Sequence, residues 1–198
     1  LEERFIPADG SAWRDHLGLP PEAAVLGAVG KLARDRGFGL VLDAASRIEA
    51  PVHVIVVGHG ELQPELEKQA RGIGLTGRVH WAGYQDEELP ALYSAMDVVF
   101  FTASGSDWGH RAISEAQGCG RPVVAVAYPG VEDLIEDGVT GWVVDCSAGV
   151  LAEAANTLIS DPESARRLGE AAIGGASERR FAPAGERLAL FLEDILAG

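Results

Sequence analysis

Cysteine, lysine and long apolar runs are all scarce in this sequence, and each shortage removes a class of function. Its 198 residues include two cysteines, Cys119 and Cys146, too far apart for a CxxC unit. A structural zinc site or disulfide framework is thereby set aside, and a reducing cytoplasm is the expected compartment. Lysines and arginines number 16 against 30 acids, a formal charge of −14. A nucleic-acid backbone binder needs a basic stripe, so nucleic acid is not an expected partner. Any phosphorylated ligand must rely on local cations and amides rather than the general field, which salt screens over about 8 Å. Only Lys31 and Lys68 are lysines. That skew toward arginine, with plentiful alanine, fits either a GC-rich genome or an acidic, salt-adapted surface. No segment reaches the roughly 18 consecutive apolar residues of a membrane span. No charged-then-apolar signal opens the chain. It starts LEERFIPADG, without methionine, as a piece of a longer polypeptide would.

Apolar residues make up 47% of the chain and mean hydropathy is +0.08, which suits a globular core. Short β-like runs occur at 24–29, 52–58, 78–83, 97–103, 122–127 and 141–145. Helical spacing follows at 37–50, about 61–73, 87–95, 110–120, 148–160, 162–174 and 183–197, with Asp161 as N-cap and Pro162 at the first helical position of the sixth. Strands apolar on both faces, alternating with helices, predict an α/β domain with a six-stranded parallel sheet between two helical layers. Residues 1–22, with Pro7, Pro20 and Pro21, read as a linker arm rather than core.

In such a sheet ligands sit beyond the carboxyl ends of the strands, where strand order reverses. GKLARDRG follows the first strand, and Gly30, Lys31 and Arg36 can fold around a diphosphate, or can form a solvated charged loop. VGHGEL lacks the third glycine of G-x-G-x-x-G, so it reads as a tight strand-to-helix turn with an exposed His59. Tyr84, in GYQD, either lies against a nucleobase or covers the sheet end. The stretch SGSDWGHRAISEAQGCGRPVVA is the richest. A helix starting near His110 aims the amides of residues 109–112, hence Gly109, His110 and Arg111, at an anion. Asp107 and Glu115, seven residues between them, can accept hydrogen bonds from a sugar diol; the alternative is a capped helix with one exposed acid. The His110 ring can donate to a phosphate or sugar oxygen or merely occupy the first turn. Cys119 reads as a small packed residue, and His16, His53 and His80 as structural or surface residues.

These pieces, in this order, resemble the C-terminal domain of the retaining, nucleotide-sugar-dependent GT-B glycosyltransferases, the glycosyltransferase group 1 family. RFIPADGSAWRDHLGLPPEAAVLGAVGKLARDRGFGLVLDAA, VIVVGHGELQPELEK, RVHWAGYQDEELPALYSAMDVVFFTAS, EAQGCGRPVVA and GVEDLIEDGVTGWVVD each look like successive family segments. The resemblance implies a Rossmann-like domain at 23–182, an interdomain linker at 1–22 and a helix at 183–198 returning toward an N-terminal, acceptor-binding half. It implies transfer of a hexose from a UDP-, GDP- or ADP-linked sugar to an acceptor hydroxyl, with neither metal nor cofactor. Lys31 and Arg36 match the family's diphosphate-holding pair with the cation types exchanged, which sacrifices a bidentate fork but keeps the charge. The E-x7-E motif becomes Asp107-x7-Glu115, catalytic residues in which Glu115 takes the ribose and Asp107 the donor sugar. Asp107 is a methylene short of the usual Glu, and Trp108-Gly109-His110 replaces the usual Gly-Phe-Gly. Trp108 is then the candidate for the face that meets the other half, through which any membrane contact would run. Two rival readings are a non-catalytic nucleotide-sugar-binding or scaffolding domain and a nucleotide-sugar epimerase.

Overall fold

The computed structural model describes residues 2–104 and 110–178. The residues Asp107, Trp108 and Gly109 and the helix expected at 183–197 therefore lie outside the described residues. Six strands form one sheet: β1 (Ala24–Val29), β2 (Val52–Val57), β3 (Val79–Gly83), β4 (Val98–Phe101), β5 (Val123–Val126) and β6 (Trp142–Val144). Every pairing is parallel, in the order β3-β2-β1-β4-β5-β6. The chain first winds outward from β1 to β3, then crosses back to β4 on the other side of β1. The reversal point therefore lies between β1 and β4, where a cleft is expected.

Helices α1 (Ser11–His16), α2 (Phe38–Ala45), α3 (Gln63–Gly72), α4 (Leu89–Ala95), α5 (Arg111–Gly118), α6 (Ala148–Ser160) and α7 (Pro162–Glu178) surround the sheet. Strand residues of alternate parity feed two cores. Val54, Val56, Phe100 and Val124 meet α2, α3 and α6 on one face. Ile55, Val57, Val99 and Val123 meet α4 and α5 on the other. Such double burial is why these strands read as continuous valine-rich runs. None of the helices among the described residues is long and apolar enough to cross a membrane.

Two helix ends differ from expectation by four residues or more. The α2 helix stops at Ala45 because the next amides, of Arg47 and Ile48, reach back only three residues, to Ala44 and Ala45. The turn swings Ile48 into the core ahead of Pro51. At the other extreme, α7 runs on to Glu178, through Gly174 and Gly175, with Asp161 Oδ1 accepting the Ser164 amide at its start.

The turns after β1 and β2 are zipped backbone to backbone. The Leu32 amide donates to His59 O, and the Leu62 amide to Leu32 O. Gly58, at φ +127°, lies so close that a Cβ there would sit 1.9 Å from Gly30 O. The GHG sequence is thus a close-approach turn, and His59 is exposed as expected.

The arm at residues 2–22 needs correcting in one respect: part of it is core. Phe5 is completely buried and meets the Tyr93 ring edge-on at 6.2 Å between centroids. Arg14 clamps α1 to the sheet, its Nη2 donating to both Asp97 oxygens at 2.9 Å and its Nε to Ala95 O. Phe5, in a polar, proline-marked arm, has no apolar periodicity around it to announce its burial. Phe5→Ala is expected to cost about 3–5 kcal/mol, the range for emptying a buried aromatic site. Urea denaturation checks this, and a loss below about 1 kcal/mol would mark the arm as detachable.

Candidate functional site

A cleft of about 380 Å³ opens at the carboxyl ends of β1 and β4, and its walls hold Gly30, Lys31, Arg36, Tyr84, Arg111 and Glu115. Six residues singled out from separate loops thus share one site. A larger groove, about 790 Å³, lies at the opposite, amino end of the strands, but its arginines already have partners within the protein, Arg166 in an ion pair with Glu170 among them. There Arg14 pairs with Asp97, and Arg121 donates to Cys119 O and Met96 O. Size and chemistry disagree, and the smaller cleft has the chemistry.

Arg36 is set by a staple between the β1 and β4 loops. It ends a short 3-10 turn (Arg34–Arg36), and Gly37 follows in the left-handed region at φ +68°. Thr102 Oγ1 donates to Arg36 O at 2.9 Å, and the Ser104 amide donates to Asp35 O at 2.9 Å. A Cβ on Gly37 would fall 2.5 Å from Thr102 O, so the loops could not close with another residue there. Among the described residues, the buried Nε of Arg36 has no hydrogen-bond acceptor. It is ion-paired to Asp35 Oδ2 at 3.5 Å without hydrogen-bond geometry, so an incoming oxygen would give it the acceptor it lacks. Lys31 is exposed at the cleft wall, free to follow an anion.

Glu115 is 5% exposed, and so is not the exposed acid of the alternative reading. Its Oε2 accepts the Tyr93 hydroxyl proton at 3.0 Å, and its Oε1 accepts Arg111 Nε at 3.1 Å. Arg111 Nη2 also bridges to Glu2 Oε1 at 2.9 Å. Burial pushes the Glu115 carboxyl above its usual range, against the opposing pull of Arg111 and Tyr93. Burial likewise pushes the Tyr93 phenol far up, with the Glu115 charge adding to it. Burial opposes the Arg111 charge, but Glu115 and Glu2 together raise its pKa.

Tyr84 is 68% exposed at the cleft mouth, edge-on to His59 at 5.8 Å between ring centroids. The His110 ring is placed differently from the other candidates. It packs against Phe101, at 5.5 Å between centroids, and beside Gly130, and it does not line the cleft. Sequence reasoning missed Tyr93, Thr102 and Phe38. Phe38 and Thr102 line the cleft, whereas Tyr93 stands behind Glu115. It also missed a partnership between His53 and His80, whose ring nitrogens are 2.9 Å apart across β2 and β3. Burial lowers both histidine pKa values.

Two tests follow from these environments. Burial pushes the Cys119 thiol up to about 12, whereas Cys146 is exposed. Iodoacetamide should therefore modify the native chain once, at Cys146, and a second adduct without denaturant would contradict the packing. Glu115 binds its proton more tightly folded than unfolded, so its ionisation costs stability. That cost is absent below the unfolded carboxylate pKa of about 4.3 and grows as pH rises toward the folded value. Glu115→Gln should gain stability over wild type at about pH 8 relative to about pH 4, as read by denaturant midpoints; an unchanged difference would contradict this.

Residues 9–174 match the family model described as "Glycosyl transferases group 1". The lipopolysaccharide core biosynthesis glycosyltransferase LpsE of Rhizobium meliloti is 32% identical over 158 residues, 79% of this chain and 46% of LpsE. The alpha-D-kanosaminyltransferase of Streptomyces kanamyceticus is 32% identical over 98% of this chain and 52% of its own. Among solved structures, Anabaena HepE in complex with UDP and glucose superposes at a TM-score of 0.88, with 28% identity, over 98% of this chain and 55% of HepE. The C-terminal domain of the Francisella tularensis group 1 protein LpcC shares the fold at a TM-score of 0.79 and 21% identity, over 91% of this chain and 99% of that one. This chain thus spans about half the length of the curated relatives it matches. The fold is the Rossmann-like C-terminal half of a GT-B arrangement, and the chain belongs to the group 1 glycosyltransferases.

Proposed function

We propose that this chain is the donor-binding half of a retaining hexosyltransferase, and that its cleft holds the diphosphate and ribose of a nucleotide sugar. The observation that carries the reading is the convergence of two loop cations, Lys31 and Arg36, and one buried carboxylate, Glu115, in one cleft. HepE complexes with UDP and with UDP-glucose favour a uridine diphosphate sugar as the donor. As the glycosidic bond breaks, the departing diphosphate gains negative charge, which fixed cations stabilise without reorganising. Lys31 supplies a mobile charge and Arg36 a stapled one. Gly30, whose amide donates to Val57 O, lets the ligand approach closely, backbone amides of Gly109, His110 and Arg111 would add donors, and no metal is called for. Glu115 accepts the ribose diol, Tyr84 flanks the base, and Asp107 takes the donor sugar.

Transfer needs the acceptor hydroxyl held at the anomeric carbon away from water, positioning that contributes about 7–11 kcal/mol. We assign that task to an N-terminal half, with any membrane contact, and place the reaction in the cytoplasm. The isolated chain should bind donor and transfer no sugar. Incubation with labelled UDP-sugars, with and without the matching half, tests this: turnover by the chain alone would contradict it. Isomerisation of the sugar without acceptor would instead favour an epimerase.

By calorimetry, Glu115→Ala should weaken UDP binding by about 1.5–3 kcal/mol, the range for hydrogen bonds to a charged group. Unchanged affinity would remove Glu115 from the site. Lys31→Ala should make the remaining affinity less sensitive to salt, since one exposed cation no longer meets the diphosphate. An unchanged salt slope would remove Lys31 from it.

A further inference from the structure

We propose that Tyr93 is a positioning residue for the ligand's diol, its hydroxyl holding the Glu115 carboxylate ionised and correctly turned. The inference rests on the reading of Glu115 as the diol acceptor and deepens it. Tyr93 is 0% exposed and does not line the cleft, so it acts only through Glu115. Its hydroxyl stands 3.0 Å from Glu115 Oε2, against 3.4 Å from Ala112 O, which makes the carboxylate the nearer acceptor. The edge contact with the fully buried Phe5 fixes the ring from behind. A phenol so enclosed stays protonated and is an obligate donor.

The two donors divide the carboxylate between them. Tyr93 occupies one lone pair of Oε2, and Arg111 occupies one of Oε1. Arg111 Nη2 also lies 3.0 Å from Oε1, so Oε2 keeps a lone pair for the cleft and Oε1 gains one as Nη2 turns to Glu2; a vicinal diol presents two hydroxyl donors. Arg111 is the less constant partner, since its side chain is 55% exposed and shared with Glu2. For the buried Tyr93 hydroxyl the competing acceptor is a neutral carbonyl, Ala112 O, and it is the more distant one. Without that hydroxyl, Oε2 would be buried with one donor fewer, and Glu115 would take up a proton at higher pH. A protonated carboxyl offers the diol one acceptor oxygen less.

Among the described residues, few groups face Glu115. Arg111 comes from its own helix and Tyr93 from α4, while Glu2 reaches it through Arg111. Lys31 and Arg36 line the cleft from the β1 loop, Tyr84 from the loop after β3. Cys119, below it on the same helix, is protonated throughout the working range. The nucleotide's own phosphate titrates near pH 6 in wild type and variant alike, so it cancels in a comparison.

The test is calorimetric titration of the whole chain with UDP across pH, for wild type, Tyr93→Phe and Glu115→Ala. Tyr93→Phe should lose about 10-fold in affinity or more, the lower end expected for a hydrogen bond to a charge. Its acid-side fall in affinity should also begin at a higher pH than in wild type. An affinity and pH profile equal to wild type, with Glu115→Ala impaired, would overturn the role of Tyr93 and leave the diol reading standing. Lower affinity with an unshifted profile would also overturn it, since a purely structural residue gives that result. Unimpaired Glu115→Ala would instead sink the reading beneath. Should Tyr93→Phe fail to fold, 3-fluorotyrosine at position 93 keeps the shape and sharpens the donor. The acid-side fall should then move to lower pH, and no movement would overturn the proposal.

Discussion

A carboxylate at 5% exposure must be met by donors or lose its charge, and much of this domain is arranged around that demand at Glu115. Helix α5 supplies Arg111 one turn earlier, and α4 supplies Tyr93 from across the second core. The N-terminal segment supports both. Phe5 backs the tyrosine ring, and Glu2 takes the outer edge of the arginine. A segment remote in sequence is thereby drawn into the environment of one acid. Such an arrangement trades stability for a poised acceptor, as sites built for a ligand commonly do.

The cations are placed by a different device. Strand order reverses between β1 and β4, so the helices after those strands, α2 and α5, pack on opposite faces and a cleft is left between them. Gly37 lets the two loops close, with Thr102 and Ser104 holding the backbone of Arg36 and Asp35. Gly58 does the same for the β1 and β2 turns beneath. Lys31 and Arg36 thus overcome a net charge of −14 locally, within a screening length of about 8 Å.

Strands were legible in the sequence because burial on both faces leaves unmistakable valine runs, and all six fall where those runs do. Glu115 and the Lys31–Arg36 loop were legible for a related reason: one lies in the helix after β4 and the other in the loop after β1, and the parallel sheet sends all such connections to one edge. Tyr93 was not, because in the run LPALYSA it is one more apolar helical position, and its hydroxyl finds its partner 22 residues on. Phe5 and the His53–His80 pair were hidden for the same physical reason: contacts between distant elements leave no local periodicity. For His110 the sequence left two placements of the ring open, and the ring packs on Phe101 in the first turn. Asp107 and Gly109 lie outside the described residues and rest on the sequence reading and the family resemblance.

The central claim is that one cleft, at the carboxyl ends of β1 and β4, receives a nucleotide diphosphate. Amide chemical-shift mapping of the isotope-labelled chain during titration with UDP tests it most directly. The account predicts shifts clustered at Gly30, Lys31 and Arg36, at Tyr84, at Thr102 and along Arg111 to Glu115, the rim of that cleft. Shifts confined to Ala23, Gly120 and Arg121 in the larger groove at the amino end, or none at all, would contradict it.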